Sequence, residues 1–295
     1  MPCLESPNPH ELDRLIDAAL AEDLGGGDVT SDPLFAQDVL AGGRLVAKAA
    51  GVLCGSGVFR RVFERLDPAV TIALRAADGD ALAVGDVVCD LRGPARALLS
   101  GERTALNLIQ RLSGIATLTR GFVEAAPGVR ILDTRKTTPL LRGLEKYAVV
   151  CGGGENHRFG LFDQAMVKDN HTDLSGEGTG ALVRKLRATH GSGLFITAEA
   201  RDEHEAFAAI EADADCVLLD NFTPEALGQL VPRLRMAASG RVRPLELEAS
   251  GGVNLASIAR FALAGVDRVS VGALTHSAPA LDLSLELWRQ EVGRR

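Results

Sequence analysis

Basic side chains gather in one stretch of an otherwise acidic chain, from Asp133 to His171. The stretch includes Arg135, Lys136, His157, Arg158, Lys168 and His171. Two short apolar segments, 130–132 and 165–167, lead into the Arg135-Lys136 pair and into Lys168. Because the cations follow the ends of successive predicted strands, the pattern predicts a pocket for a small molecule with several negative charges.

The elements that must position these cations alternate regularly after Gly128. Strands are predicted at 130–132, 165–167, 194–200, 216–219, 245–249 and 269–271. Helices are predicted at 140–150, 182–190, 203–212, 224–236 and 255–264. Such alternation is typical of parallel strands, and about six to eight units suit a closed or nearly closed α/β barrel. A doubly wound open sheet is the alternative.

Nearly every predicted strand in this half ends at a charged residue or a glycine. These ends are Arg135 and Lys136, Lys168, Glu199, Asp220, Ser250-Gly251-Gly252 and Gly272. Barrel enzymes place their active sites at the carboxyl ends of their strands. The segment 248–254 follows a strand and is predicted to open a helix, and Gly272 ends the next strand. These two neighbouring loops therefore predict a phosphate site.

Glu199 and Asp220 end neighbouring predicted strands and form a candidate carboxylate pair. Such a pair can hold ribose hydroxyls directly or through Mg²⁺, which prefers oxygen ligands and substrate phosphates. The structural alternative is that each carboxylate caps the following helix or pairs with Lys168. Lys168 has an alternative of its own as a Schiff-base nucleophile, although the surrounding cations favour anion binding.

Three further residues have a functional and a structural interpretation. His157 either hydrogen-bonds a substrate carboxylate or is a satisfied structural histidine. His276 either reaches a phosphate or orients its own loop. Glu248 is interpreted as a buried partner of the cationic cluster rather than as a catalyst.

The first part of the chain predicts a smaller α+β domain. A helix is predicted to begin at Asn8-Pro9 and to end before Gly25, and a second helix carries the apolar face of 58–66. Strands are predicted at 44–49, 70–74 and 84–91.

A long helix is predicted to begin at Ser100, which places Arg103 in its first turn. A cation in the first turn opposes the helix dipole, so Arg103 is poorly placed for stability alone. This suggests a function for Arg103; a surface arginine without a function is the alternative.

Composition limits the classes of function. The chain has 295 residues and a net charge of −7, which disfavours nucleic acid and anionic lipid as partners. Its five cysteines are scattered and form no CxxC pair, so neither a disulfide framework nor a structural zinc site is predicted. No secretory signal opens the sequence and no apolar run approaches about 18 residues, so we expect a cytosolic protein.

Two sets of motifs extend over nearly the whole chain. In the N-terminal half they are Ala21-Glu22-Asp23, Gly27-Asp28-Val29-Thr30 and GERTALN at 101–107. In the C-terminal half they are DTRKTT at 133–138, GGGENHR at 152–158, KDNH at 168–171, LDN at 219–221, EASGG at 248–252 and VGALTH at 271–276. In this order, the motifs resemble those of the quinolinate phosphoribosyltransferase family, the carboxylating nicotinate-nucleotide pyrophosphorylases of NAD synthesis.

The resemblance implies an N-terminal α/β sandwich domain and an incomplete α/β barrel of the TIM-barrel type. The sandwich domain would cover 1–114 and be completed by a C-terminal helix within about 276–295, and the barrel would cover 115–275. The resemblance also implies a homodimer, or a higher oligomer, in which Arg103 reaches the partner's barrel.

The resemblance also implies the role of each site residue. The quinolinate carboxylates would be bound by Arg103, Arg135, His157, Arg158 and Lys168. Lys136 would lie near the phosphoribosyl donor, and Glu199 and Asp220 near its ribose diol and Mg²⁺. The phosphate side would comprise Ser250, Gly251, Gly252, Gly272 and His276. The implied catalytic residues are Lys136, Lys168, Glu199 and Asp220.

The implied reaction is Mg-dependent transfer of phosphoribose from phosphoribosyl pyrophosphate to quinolinate, with loss of CO₂ and no organic cofactor. One position departs from the family pattern: Thr197 stands where a glutamate is usual. Because alternation places Thr197 on the same face as Glu199, we expect one negative charge fewer at the site.

Three alternatives remain at this point. One is the pyrophosphorylase-like homologue encoded with molybdate transport, although the segment 101–110 and the triplet Asn156-His157-Arg158 favour the quinolinate enzyme. The second is a Schiff-base aldolase that uses Lys168. The third is a non-catalytic binding protein for phosphorylated metabolites.

Overall fold

The computed structural model describes residues 8–290. Its residues form two compact units. Among the described residues, the sandwich unit contains 8–120, 138–153 and 278–290, and the barrel unit contains 121–137 and 154–277. The predictions for the N-terminal segment and for the cysteine at position 3 lie outside the described residues.

The sandwich unit combines helices with an antiparallel sheet. Its helices are α1 (Pro9–Leu24), α2 (Ser31–Leu34), α3 (Ser56–Leu66), most of α4 (Ala95–Ala125) and α5 (Arg142–Cys151). Its strands are β1 (Leu40–Ala47), β2 (Gly51–Val52), β3 (Thr71–Leu74), β4 (Ala81–Leu82), β5 (Val87–Pro94) and β12 (Leu283–Arg289). The main sheet has the order β12-β1-β5-β3, and β2 pairs with β4. This arrangement confirms the α+β prediction for the N-terminal part.

The first helices form where their local sequence predicts them. The side chain of Asn8 accepts a hydrogen bond from the backbone N–H of His10, and Pro9 opens α1. Helix α3 buries one face, on which the rings of Phe59 and Phe63 meet edge to face with centroids 5.2 Å apart.

The segment after Ala278 is a strand, so the expected C-terminal helix is wrong for the described residues. β12 pairs antiparallel with β1 along its whole length. The leucines at 281, 283, 285 and 287 alternate along the chain, and the first three are buried. That period of two is the pattern of a half-buried strand and was visible in the sequence.

Helix α4 begins at Ala95, directly after β5 ends at Pro94, and not at Ser100 as predicted. Arg103 therefore lies in the third turn, and the argument from the helix dipole is wrong. Its side chain is nevertheless exposed. Further along the helix, a Cβ atom at Gly114 would lie well under 3.0 Å from the carbonyl oxygen of Pro279, so only glycine permits this approach.

The barrel unit alternates strands and helices. Its strands are β6 (Arg130–Leu132), β7 (Ala165–Val167), β8 (Ile196–Ala200), β9 (Cys216–Asp220), β10 (Glu246–Ser250) and β11 (Arg268–Ser270). Its helices are α6 (Asp169–Ser175), α7 (Thr179–His190), α8 (Glu203–Glu211), α9 (Pro224–Ala237), α10 (Ile258–Leu263) and α11 (Ala273–His276).

The strand order distinguishes a barrel from a doubly wound sheet. The six parallel strands have the order β6-β11-β10-β9-β8-β7. From β7 to β11 each strand lies beside the next one in the chain, with no reversal, and β6 closes onto β11. Among the described residues no ladder joins β6 to β7, which makes this an incomplete barrel, as expected.

No helix within residues 8–290 combines the length and the apolar character that a bilayer span requires.

Candidate active site

A cavity of about 640 Å³ opens at the carboxyl ends of the barrel strands. All of its lining residues belong to the barrel unit. The predicted site residues that line it are Arg135, Lys136, His157, Arg158, Lys168, Glu199, Asp220, Ser250, Gly251, Gly252, Gly272 and His276. The remaining predicted residue, Arg103, belongs to the sandwich unit. The barrel alone thus gathers a dense set of cations, carboxylates and glycines at its strand ends.

Two guanidinium groups crowd the basic side of this cavity. Arg158 is only 7% exposed, and its Nη1 donates to the carbonyl oxygen of Gln164 at 3.2 Å. Burial, together with the nearby charge of Arg135, lowers the pKa of Arg158. The buried Nε of Arg135 has no hydrogen-bond partner within the described chain. An anion bound between these two cations reduces their mutual repulsion in the partly dry pocket. The pair of guanidinium groups is therefore suited to binding a dicarboxylate.

Two predicted carboxylates also line the cavity. Glu199 and Asp220 end β8 and β9, which pair in parallel, and Lys168 Nζ lies 3.6 Å from Glu199 Oε2. Burial raises the pKa of both Glu199 and Asp220, and the nearby charge of Asp169 raises each further. Burial and the neighbouring negative charges disfavour the ionised form of these carboxylates, and a bound cation would stabilise it. This donor set therefore fits Mg²⁺ held jointly with substrate phosphates.

The first glycine loop is shaped by a close approach of two chain segments. Gly251 has a φ of 95°, and a Cβ atom there would lie well under 3.0 Å from Oδ1 of Asn221. The backbone of Asn221 is also in the left-handed region, with a φ of 59°. Its backbone N–H donates to the Ser250 carbonyl oxygen at 2.8 Å, and its Nδ2 donates to Oδ2 of Asp220 at 2.6 Å. Asn221 therefore ties the glycine loop to the carboxylate of Asp220.

The second glycine loop brings Lys136 and His276 together. A Cβ atom at Gly272 would lie 3.0 Å from Cδ of Lys136 and 3.2 Å from Nε2 of His276. The Thr275 hydroxyl donates to the Lys136 carbonyl oxygen at 2.7 Å, which fixes the loop after β6 against the loop after β11. Nδ1 of His276 lies 2.6 Å from the Ser277 hydroxyl, so the imidazole orients its own loop while its other nitrogen faces Gly272.

The expected helix start behind the first glycine loop is wrong. α10 begins only at Ile258, several residues beyond Gly252. In contrast, α11 begins directly after Gly272. An anion at the first loop would therefore be held by backbone N–H groups and side chains rather than by a helix terminus.

Within residues 8–290, the side chains of Cys54, Asp78 and Cys151 are the one group of at least three that lies close enough to share a metal ion. These residues belong to the sandwich unit. The Asp78 carboxylate accepts hydrogen bonds from the backbone N–H groups of Gly55 and Ser56 and from the Tyr147 hydroxyl. Burial raises the pKa of the Cys54 thiol, which keeps it protonated. This cluster is therefore explained as packing.

Comparisons with known proteins agree with this geometry. The family model for the N-terminal domain of quinolinate phosphoribosyl transferase matches residues 28–113, and the model for its C-terminal domain matches residues 115–286. The chain belongs to this family. A relative from Bacillus subtilis, named probable nicotinate-nucleotide pyrophosphorylase [carboxylating], is 43% identical over 95% of this chain and 94% of its own length. The human nicotinate-nucleotide pyrophosphorylase [carboxylating] is 39% identical over 96% and 94%.

Solved structures of the quinolinate phosphoribosyl transferase family have the same fold as this chain. The crystal structure of NadC from Streptococcus pyogenes has a TM-score of 0.90 and 38% identity, and the match covers 97% of this chain and 99% of that one. The nicotinate-nucleotide pyrophosphorylase of Francisella tularensis has a TM-score of 0.90 and 36% identity, covering 98% and 100%. The fold class and the enzyme class predicted from the motifs are thus confirmed.

The departure from the family pattern lies outside the cavity. Thr197 is fully buried, is not among the residues that line the pocket, and its Oγ1 has no hydrogen-bond partner among the described residues. The expectation that this replacement removes one negative charge from the site stays a prediction.

Four polar residues of the cavity were not predicted as site residues, namely Thr134, Asp169, Asn221 and Ser270. Asp169 is the first residue of α6, a short helix that the sequence pattern did not predict. Asn221 follows directly after a strand end and tolerates a left-handed backbone better than most residues. A search for asparagine or aspartate one or two residues beyond each strand end would have found both.

Proposed function

We propose that this chain transfers phosphoribose from phosphoribosyl pyrophosphate to quinolinate with loss of CO₂, giving nicotinate mononucleotide and pyrophosphate for de novo NAD synthesis. The observation that carries the proposal is that one cavity of a family member joins crowded guanidinium groups to a partly buried carboxylate pair and two glycine loops. Both substrates carry several negative charges, and only a pocket rich in cations holds them side by side.

The cationic residues and the glycine loops would bind different parts of the two substrates. Arg135, Arg158 and Lys168 would bind the carboxylates of quinolinate and direct its ring nitrogen toward the anomeric carbon of the donor. Ser250 and the glycines at 251, 252 and 272 would hold the 5′-phosphate through backbone N–H groups, with His276 beside them. Lys136 would offset negative charge on the phosphoribosyl donor.

Glu199 and Asp220 would hold the ribose diol and Mg²⁺, the one cofactor of the proposal. When bound, the ion supplies positive charge to the leaving pyrophosphate. The two carboxylates also stabilise the positive charge that develops on the ribose as the glycosidic bond breaks. The positive ring nitrogen of the product then favours loss of the adjacent carboxylate as CO₂.

The proposed assembly is a homodimer, with Arg103 of each subunit completing the site of its partner. The support is the exposed position of Arg103 on α4 within the family motif GERTALN. We also infer a cytosolic location, which the four free, buried cysteines of the described chain support. Relatives from plants carry chloroplastic and mitochondrial names, so location varies within the family.

The deciding experiment measures pyrophosphate release by the purified protein with Mg²⁺, phosphoribosyl pyrophosphate and quinolinate. Nicotinate serves as the control acceptor because it lacks the second carboxylate. We expect release with quinolinate only, matched by equal amounts of CO₂ and nicotinate mononucleotide. A folded protein that binds both substrates without releasing pyrophosphate would instead be a metabolite-binding protein.

A borohydride experiment separates the proposal from Schiff-base chemistry. Lys168 is paired with Glu199 and its side chain is 44% exposed, which is not the dry, unpaired environment of a nucleophilic lysine. We therefore expect no covalent trapping of a carbonyl substrate at Lys168.

A further inference from the structure

A carboxylate that no predicted catalytic role uses lies beneath the cavity. Glu248 is fully buried on β10, two residues before Ser250. Its Oε2 accepts a hydrogen bond from Nε of Arg268 at 2.8 Å. Its Oε1 faces Nε2 of His157 at 3.4 Å, a longer separation than that of an aligned hydrogen bond.

The charge of Glu248 is maintained by these two neighbours. Burial alone would raise the pKa of Glu248, but His157 and Arg268 together hold it below the usual value. Arg268 is itself 7% exposed and has a second counterion, because its Nη1 lies 2.5 Å from Oε2 of Glu246. Glu248 is therefore an ionised carboxylate with one oxygen committed to Arg268 and the other directed at the imidazole.

The second ring nitrogen of His157, Nδ1, also contacts a protein group. Nδ1 of His157 accepts a hydrogen bond from the backbone N–H of Arg158 at 2.7 Å, so Nδ1 carries no proton. The proton must then be on Nε2, the atom that faces Glu248. The backbone N–H of His157 donates to Oδ1 of the buried Asp133 at 2.9 Å. Both ring nitrogens and the backbone of His157 are thus directed at the protein.

We propose that Glu248 is a positioning residue, which fixes the tautomer and orientation of His157 and through it the backbone of Arg158. The proposal rests on the proposed function, because Arg158 is assigned there to the carboxylates of quinolinate. His157 then acts by holding Arg158 in place, and the guanidinium rather than the imidazole contacts the acceptor. This interpretation develops the structural alternative for His157 and gives Glu248 a role in substrate binding.

Glu248→Gln is a nearly isosteric test. Its amide has one oxygen and one NH₂ group, and Arg268 requires the oxygen because a guanidinium only donates. The NH₂ group is then directed at Nε2 of His157, which must give up its proton, and the tautomer that accepts from Arg158 is lost. Arg268 retains Glu246 as a counterion, so the variant keeps a compensating charge.

We expect Glu248→Gln to raise the KM for quinolinate by about 10-fold to 100-fold, the usual effect of removing a residue that orients a ligand-binding group. The KM for phosphoribosyl pyrophosphate should change less than about twofold, because the phosphate loops keep their own contacts. His157→Gln should give the same pattern, since its NH₂ group can reach Glu248 but the side chain has no acceptor at the position of Nδ1, which receives the Arg158 N–H. The matched control is Cys216→Ala, because Sγ of Cys216 lies 3.8 Å from Oε2 of Glu248 and not at the Oε1 that faces His157.

Nitrogen-15 NMR of the histidine side chains provides a readout that is independent of activity. The His157 signal, assigned by its loss in His157→Gln, should show a proton on Nε2 and none on Nδ1 in the wild type, and this pattern should disappear in Glu248→Gln. A proton on Nδ1 in the wild type would overturn the proposal. So would an unchanged KM for quinolinate in both folded variants, or an equal loss for both substrates. An inactive wild type that shows the expected tautomer would refute the proposed function alone.

Discussion

At the scale of single residues, the carboxylates of the cavity link pH to activity. Burial raises the pKa of Glu199 and Asp220, so each binds a proton at a higher pH than an ordinary carboxyl group. The proposed role of both groups requires the ionised form. We therefore expect kcat/KM for phosphoribosyl pyrophosphate to fall on the acid side at a pH above the usual carboxyl range.

A pH profile at several Mg²⁺ concentrations checks this prediction. A bound cation favours the ionised carboxylates, so more Mg²⁺ should move the acid limb toward lower pH. An acid limb that stays within the usual carboxyl range, whatever the Mg²⁺ concentration, would contradict the assignment of these groups.

The raised pKa of Asp220 predicts that the charge needed for activity lowers the stability of the folded protein. A carboxyl group whose folded pKa is raised opposes folding when it is ionised, and this cost disappears as the pH falls through the folded pKa. Asp220→Asn removes the charge at every pH. We expect it to lower kcat by about 10²-fold to 10³-fold, as for other lost electrostatic contacts to a transition state, and to raise the melting temperature at pH 7.

The matched control for this variant is Asp215→Asn. Asp215 is another aspartate of the barrel and is buried, but hydrogen bonds from Arg187, Ile196 and Arg243 outweigh its burial and lower its pKa. Its charge therefore stabilises the fold above the unfolded pKa, and its loss should lower the melting temperature. Equal changes in melting temperature for the two variants would contradict the argument.

At this scale the sequence predicts which residues meet but not how they are oriented. Cations and carboxylates at strand ends converge by the geometry of parallel strands, so Lys168, Glu199 and Asp220 were found together in one cavity. The tautomer of His157 depends on a contact with Glu248, which is far away in the chain. No spacing in the sequence reports such a contact.

At the scale of secondary structure, the loop after β10 depends on a glycine with a left-handed backbone. Gly251→Ala would place a methyl group against the side chain of Asn221 at a φ of 95°, which alanine rarely adopts. We expect the loop to shift away from the phosphate position and the KM for phosphoribosyl pyrophosphate to rise by about 10-fold or more. Steady-state kinetics with each substrate varied in turn measure this effect.

Gly228→Ala is the control for this substitution. Gly228 lies in α9, has an ordinary backbone and has no atom within 4 Å of the added methyl group. Alanine in the middle of a helix should stabilise the protein by about 0.5–1 kcal/mol without changing either KM. If Gly251→Ala behaves like Gly228→Ala, the loop does not depend on its glycine.

Most elements follow from their local pattern, and the exceptions have identifiable causes. β6 and β7 lie where their apolar runs predict them, because each run is short and bounded by polar residues. For β12 the family resemblance implies a helix, whereas the alternation of its leucines indicates the strand that is observed. The start of α4 was placed too late because β5 leads into the helix at Pro94 without an intervening loop.

At the scale of the whole molecule, the proposed dimer makes Arg103 a residue of the partner's site. Arg103→Ala should fold normally, because its side chain is exposed and lies within the body of a long helix that keeps its other contacts. We expect a loss of activity of about 10²-fold, as for a cation that contacts a bound carboxylate. Asn107→Ala is the control, since Asn107 is exposed one helical turn further along the same face.

Mixing two inactive variants distinguishes a shared site from one that is built within a single chain. In a dimer of Arg103→Ala with Lys168→Ala, one site receives both substitutions and the other receives neither. Random exchange in a two-fold dimer makes about half of the dimers mixed, so about one quarter of the wild-type activity should return. Two copies of the same variant give no intact site, so activity must appear only after exchange. If labelled subunits exchange and activity stays absent, Arg103 acts within its own chain and the proposed shared site is refuted.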